Sequence, residues 1–453
     1  MRGYFSTFVA LFLSIFRAAA IVSQRPFYLP PRSSTSLMAG KVEIATTTHS
    51  TEEVASILSE YTSARLLKRT QLFGGYSGSN YRVDLDDGSA FVLKITNGYS
   101  AEHAELMCQT ANHLSEAGYY KDCCLPIPRR QQHNDNQEQD QRKFRFVSKK
   151  EKKGVPAFLL TFVEGRQADA VMRERPDLAS AVMRGIGGGL ARMHIAASGI
   201  TQEEARRLKI RWYQTDGGCC DVQDQIDGKV LSSILNCIDE KKRDVFLNTF
   251  YNTELAALRK EMKLAVTVKE GINKYDDKEE TEKNISLEHG ICHGDPFADN
   301  VLVFSDTGKL SALVDIEDFC AGPVLFDLCC CAIGCCFKQQ SDCDDGSTKY
   351  PQVLDMNLLK ALLKGYCADR KIPQIERDHF IPFMRLTLLC NCSWRFVKFN
   401  VSNNSDDKDT DDFPEEAKNS YLELQHRIEY LRDPEVVQQI KSLLLAQEDS
   451  TTN

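Results

Sequence analysis

The run His289-Gly290-Ile291-Cys292-His293-Gly294-Asp295-Pro296-Phe297-Ala298-Asp299-Asn300-Val301-Leu302-Val303 constrains this chain more than any other feature. After a turn it continues as Ala312-Leu313-Val314-Asp315. Acid and amide side chains stand here in loops bounded by apolar, strand-like runs, so the strand pair sets the separation of those side chains. This layout suits phosphoryl transfer. The chemistry needs one carboxylate to hold an accepting hydroxyl, and carboxylate and amide oxygens to hold Mg²⁺ against the phosphates. Asp295 is the candidate for orienting and deprotonating the acceptor, and Asn300 and Asp315 are the candidate metal ligands.

Upstream, Leu72-Phe73-Gly74-Gly75-Tyr76-Ser77-Gly78-Ser79-Asn80 precedes two strand-like runs, YRVDL and SAFVLKI, joined by Asp86-Asp87-Gly88, a hairpin with its turn chemistry in place. Glycines at 74, 75 and 78 let backbone N–H groups approach a phosphate with no Cβ in the way. Lys94 lies on the second strand, pointing opposite to Leu93 and Ile95, where a lysine reaches the α- and β-phosphates of a nucleotide.

Taken together, these elements resemble the aminoglycoside phosphotransferase and choline kinase superfamily. His293-Gly294-Asp295 to Asn300 matches its HGDxxxxN loop. Val314-Asp315-Ile316-Glu317-Asp318, with Gly322-Pro323 and Asp327-Leu328, matches its metal-binding stretch. The resemblance also takes in the Gly75 to Asn80 loop, the Lys94 strand, Leu125-Pro126-Ile127-Pro128 and Leu190-Ala191-Arg192-Met193-His194, so it spans roughly residues 70 to 400. It implies an α+β, two-lobed protein-kinase-like fold, with a small N-terminal β-sheet lobe carrying a helix and a larger, mostly helical C-terminal lobe. It further implies ATP and Mg²⁺ as cofactors. Asp295 would be catalytic, Asn300 and Asp315 metal-binding, and Gly75, Ser77, Gly78, Asn80, Lys94 and Glu105 would lie at the nucleotide, with Glu105 favoured over Glu102 as the partner of Lys94. His293 is expected to support the loop, His194 to pack within its helix and Asp327 to anchor the loop by hydrogen bonds.

Within the superfamily, Asp299-Asn300-Val301-Leu302 and Gly365-Tyr366, with Arg385 and Trp394-Arg395-Phe396, resemble homoserine kinases. A homoserine-type acceptor is the favoured implication. Choline, ethanolamine, hydroxylysine and sugar kinases share the same core, and a catalytically silent nucleotide-binding scaffold is the alternative from another class. The expected partners are ATP and a small hydroxylated metabolite.

Composition narrows the remaining choices. A net charge of −8 argues against a nucleic-acid or acidic-membrane partner, which calls for a basic surface. Among 17 cysteines, neighbours such as Cys329-Cys330-Cys331 and Cys335-Cys336 cannot form a regular set of bridges, and they read as small hydrophobes of a buried helix in a reducing compartment. Residues 1–40 read as a targeting segment. An apolar run from Gly3 to Val22 follows Arg2, and no acidic residue occurs before Glu43, a pattern similar to the signal-plus-transit address of proteins imported into complex plastids. Secretion, membrane anchoring and mitochondrial import are the alternatives. The mature protein is not expected in a membrane. The body divides into a nucleotide-binding lobe at 41–165, with a charged insertion near 129–154, a catalytic and substrate lobe at 166–446, and a disordered tail at 447–453. Amphipathic spacing predicts helices over Thr51–Leu67, Ala101–Glu116 and 178–197, the last capped by Asp177. A strand is predicted over Ala157–Phe162.

Overall fold

The structure, a computed structural model, describes residues 49–72, 78–96, 100–119, 123–130, 145–148, 155–196, 198–199, 201, 203, 205, 240–266, 287–339, 350–400 and 414–449. The expected targeting segment, Gly75, Ser77 and most of the charged insertion lie outside these residues. No helix among the described residues is long and apolar enough to cross a membrane. The chain forms two compact units. Of the described residues, the first holds those up to Glu116, those within Cys123–Val163 and Asp315–Asp318; the second holds the others.

In the first unit α1 (Thr51–Leu58) opens on a capping box, in which the Ser50 hydroxyl accepts from Glu53 N–H and the Glu53 carboxylate accepts from Ser50 N–H. The helix expected to run to Leu67 stops at Leu58; residues 59–65 form turns, and Leu66 and Leu67 belong to the first strand. Strands β1 (Leu66–Leu72), β2 (Gly78–Leu85) and β3 (Ala90–Thr96) come next, then α2 (Ala101–Glu116), β4 (Val147–Ser148) and β5 (Ala157–Thr161). They form one antiparallel sheet in the order β1-β2-β3-β5-β4. The β2–β3 turn needs Gly88 at φ 84°, with Asp87 accepting from the N–H and hydroxyl of Ser89. Alternate residues Tyr81, Val83, Leu85, Leu93 and Ile95 face one side and bury against Val54, Ile57, Leu58 and Tyr61 of the α1 region. The Tyr61 hydroxyl donates to Phe146 O at 2.6 Å, so this core is also tied to β4.

The second unit is mostly helical. It contains β6 (Arg166–Gln167), α3 (Ala168–Glu174), α4 (Ala179–Ala196) and α5 (Glu240–Asp244), which runs through a π-helical stretch at Val245–Tyr251 into α6 (Asn252–Val266). After these come β7 (His289–Cys292), β8 (Val301–Val303), β9 (Leu310–Leu313), β10 (Cys320–Pro323), α7 (Val324–Cys335), β11 (Phe337–Gln339) and β12 (Gln352–Leu354). Helices α8 (Met356–Asp369), α9 (Gln374–Asn400), α10 (Glu415–Lys418), α11 (Ser420–Tyr430) and α12 (Pro434–Asp449) complete it. The pairings are β6-β8-β9, β7-β10 and β11-β12. Asp177 does not cap α4; its carboxylate pairs with Arg175, and a turn of 3₁₀ helix at Pro176–Leu178 leads in. Helix α12 continues to Asp449, past the expected start of the tail at 447. Among the described residues the 13 cysteines are free, and burial pushes the thiols of Cys329, Cys330 and Cys336 well above their ordinary value, which suits small apolar packing groups and not reactive ones.

Helices α4 and α8 cross at backbone contact. A Cβ at Gly187 would stand 2.1 Å from Leu362 O, and one at Gly365 would stand 2.0 Å from Arg184 O. Only hydrogen fits at either place, since the obstructing atoms are main-chain carbonyls that cannot rotate away. Gly365→Ala should therefore destabilise the protein by about 2–3 kcal/mol through overpacking, read as a lower urea midpoint at unchanged slope. An unchanged midpoint would show that the helices do not approach this closely.

Candidate active site

The site is built from short strands that end in loops. β7 delivers the chain into His293-Gly294-Asp295, a turn of 3₁₀ helix at Ala298–Asn300 follows, and β8 carries it away. Gly294 has φ 83°, which redirects the backbone just before Asp295. Buried Asn300 then fixes the acid, since its Nδ2 donates to Asp295 Oδ2 and to Asp295 O, both at 2.8 Å. Because Nδ2 is used in this way, the amide oxygen of Asn300 is the atom left to meet a cation.

Two further interactions hold the loop from behind. Asp327, on the first turn of α7, accepts from His293 N–H at 2.8 Å through Oδ2 and from Gly294 N–H at 3.0 Å through Oδ1. The His293 ring faces Val314 O from Nε2 at 2.9 Å; a carbonyl only accepts, so Nε2 carries the proton. Val314 is the last residue before Asp315 in the chain. His293 therefore supports the loop, and its Nε2 proton is committed to that carbonyl.

Asp327 is fully buried, yet its carboxyl lies below its ordinary range. Burial acts to raise it, and the hydrogen bond and charge of His194, the charge of His293 and the His293 N–H together outweigh burial. His194 Nε2 is 3.1 Å from Asp327 Oδ2, and His194 Nδ1 is 2.8 Å from the Tyr366 hydroxyl. The spacing along α4 reads His194 as helix packing, and nothing local marks Tyr366 as its partner. A signal was available: His194 falls on the apolar stripe of α4 one turn from Leu190, and a buried imidazole needs hydrogen-bond partners. His194, Cys292 and Asp327 offer ligand atoms within 4.8 Å of one another, but the carboxylate oxygens already accept hydrogen bonds, which makes this an anchor for the loop.

In the first unit Lys94 lies on β3, directly opposite Asn80 on β2 and Phe158 on β5. Gly78 opens β2 opposite Thr96. Lys94 Nζ pairs with Asp315 Oδ1 at 3.2 Å, with both side chains largely buried. Asp315 has φ 70°, a left-handed conformation that costs a residue other than glycine about 1–2 kcal/mol. The expectation that Glu105 is the ion-pair partner of Lys94 is corrected. Glu105 accepts from the N–H groups of Arg145, Phe146 and Val147 at 2.8, 2.9 and 3.0 Å, and from Gln109 Nε2 at 3.2 Å. Three converging main-chain donors satisfy its buried charge, and Asp315 supplies the countercharge for Lys94.

This architecture is a kinase-like fold, with an antiparallel sheet unit and a larger helical unit. The amicoumacin kinase hAmiN, solved in complex with AMP-PNP, Ca²⁺ and Ami, superposes with a TM-score of 0.52 over 83% of this chain and 92% of that one, at 13% identity, and so shares the fold. The chain belongs to the phosphotransferase enzyme family (APH), whose model matches residues 68–374. It is similar to the homoserine kinase of Bradyrhizobium diazoefficiens, at 23% identity over 325 residues covering 72% of this chain and 77% of that protein. It is also similar to the homoserine kinase of Methylobacillus flagellatus, at 24% identity over 344 residues covering 76% and 83%. The protein is a small-molecule kinase that phosphorylates a hydroxyl group.

Replacing Asp327 by Ala should cost about 3 kcal/mol, because two main-chain N–H groups lose a charged acceptor. The sign of its pH dependence follows from the lowered carboxyl. Its stabilisation is complete above the unfolded value of about 4 and is lost as pH falls further, through the lowered folded value. Urea midpoints of wild type and Asp327→Ala should differ by a constant amount above about pH 4 and converge below it. A gap that widens on acidification would contradict this.

Proposed function

We propose that the protein transfers the γ-phosphate of ATP to the side-chain hydroxyl of homoserine or a closely similar amino alcohol. The observation that carries the transfer chemistry is the pairing of Asp295 with Asn300, which holds one carboxylate ready to accept a proton. In this reading the acceptor oxygen attacks the γ-phosphorus, its proton passes to Asp295, and the bond to the β-phosphate oxygen breaks to release ADP. Lys94 would meet the α- and β-phosphates, with Gly75, Ser77, Gly78 and Asn80 beside them.

Mg²⁺ fits the donor set, because Asn300 offers an amide oxygen and Asp315 a carboxylate, both hard oxygen ligands. When bound, the ion would neutralise charge on the phosphates. The Lys94–Asp315 pair keeps that carboxylate compensated when no ion is bound. Support for the acceptor comes from the two homoserine kinases named above, which align with most of this chain.

The test is ATP turnover with Mg²⁺ against homoserine, hydroxylysine, choline, ethanolamine and amino sugars. Homoserine should be the preferred acceptor. Asp295→Ala should lower kcat ~10²–10⁴-fold while leaving nucleotide binding in place. Preference for another acceptor would overturn the homoserine assignment alone, whereas full turnover by Asp295→Ala would overturn the role of Asp295.

A further inference from the structure

We infer that His194 and Tyr366 are positioning residues for phosphoryl transfer, acting on the catalytic loop through Asp327; this rests on the reading of Asp295 as the proton acceptor. His194, Tyr366 and Asp327 are each fully excluded from solvent. A chain of hydrogen bonds runs through them, and the chemistry of its two ends gives the outer links a direction. At one end Arg370, which can only donate, directs Nη1 at the Tyr366 oxygen at 3.1 Å and is held by Glu376 at 2.8 Å and Glu288 at 2.7 Å. At the other end the ionised Asp327 can only accept, so the proton of the His194–Asp327 bond sits on Nε2.

The Tyr366 oxygen already accepts from Arg370, and its hydroxyl lies 2.8 Å from His194 Nδ1, which holds the ring with Nε2 turned toward Asp327. Besides Tyr366 on α8 and Asp327 on α7, the group facing this ring is the Cys292 thiol of β7.

The outcome is a carboxylate that cannot turn. Oδ2 of Asp327 is shared by His194 Nε2 and His293 N–H, while Oδ1 holds Gly294 N–H. Those two peptide groups immediately precede Asp295, and Gly294 lies in the left-handed region, where a small peptide rotation redirects the next side chain. If the Nε2–H donor is removed by substitution, Oδ2 has one donor fewer, and the carboxylate no longer holds both N–H groups in place. The close α4–α8 crossing at Gly187 and Gly365 brings Tyr366, next to Gly365, and His194, two turns beyond Gly187, within hydrogen-bond reach.

Three variants test this. His194→Leu keeps the bulk and removes the donor. His194→Gln puts an amide N–H near the place of Nε2–H. Tyr366→Phe removes one oxygen. His194→Leu should lower kcat ~10–100-fold with the KM for ATP within ~3-fold, as expected for a misplaced acid, and His194→Gln should recover most of that loss. Tyr366→Phe should lower kcat alone but add nothing in the His194→Leu background. Hydrogen–deuterium exchange of the peptide spanning 290–297, measured without substrates, should rise in His194→Leu and Tyr366→Phe and stay at the wild-type level in His194→Gln. The exchange measurement does not depend on the acceptor, so it separates failure of this inference from failure of the homoserine assignment. Wild-type kcat and exchange in His194→Leu, equal losses in the Leu and Gln variants, or additive losses with Tyr366→Phe would each overturn the inference. If His194→Leu does not fold, wild-type kcat and exchange in Tyr366→Phe would overturn it.

Discussion

The second unit is organised around one buried charge. Asp327 has no contact with solvent, and an ionised carboxylate in such a place is tolerated only when hydrogen bonds and nearby positive charge replace the water it has lost. Here the replacement comes from His293 N–H, Gly294 N–H and His194 Nε2–H, assisted by the position of Asp327 on the first turn of α7, where the helix dipole favours negative charge. Those donors serve two structural tasks. Two are the peptide groups that aim Asp295, and the third belongs to a core helix. The need to satisfy the acid thus joins the start of α7, the end of β7 and the last turn of α4.

That junction depends on unusually close packing. Glycines 187 and 365 let α4 and α8 meet carbonyl against Cα, where any side chain would push them apart. The helical assembly around them is further tied by buried guanidinium groups. Arg385 joins Glu254 and Glu261, while Arg427 binds Glu423 and donates to Ile333 O near the end of α7. Deep ion pairs of this kind add little net stability because desolvation opposes the attraction, but each disfavours any packing that would leave its charge alone. They specify how α6, α7, α9 and α11 meet.

The first unit solves its electrostatics differently from the expectation drawn from the sequence. The sequence favours Glu105 over Glu102 as the partner of Lys94 and offers Asp315 as a metal ligand. Asp315 takes the lysine. Glu105 holds the chain entering β4 through three main-chain N–H groups. A lysine beside the acid proposed to bind metal suits a site whose charge changes when ligands arrive, since the ammonium compensates the carboxylate in their absence.

Much of this was legible without coordinates. The β2–β3 hairpin follows from alternating apolar residues around Asp-Asp-Gly, α2 and α4 from apolar residues three and four apart, and the buried cysteine helix from its unbroken apolar run. These signals are local, with the residues that specify each element lying within it. The loop bearing Asp295 and Asn300 was visible for the same reason, because five residues of separation put the amide and the acid in one turn. Misreadings arose where partners are distant in the chain. The run to Leu67 has helical spacing, but its end, Leu66 and Leu67, enters a strand beside β2. Glu105 is nearer to Lys94 in sequence than Asp315 is, and the fold brings Asp315 to it across 221 positions. His194 looked like one more residue on an apolar stripe until its neighbours were known. The sequence by itself determined the identities of the reactive groups and the local turns that present them. Tertiary structure alone decided which buried charge each one faces, because the cost of leaving a polar group without a partner is settled by whatever the fold places beside it.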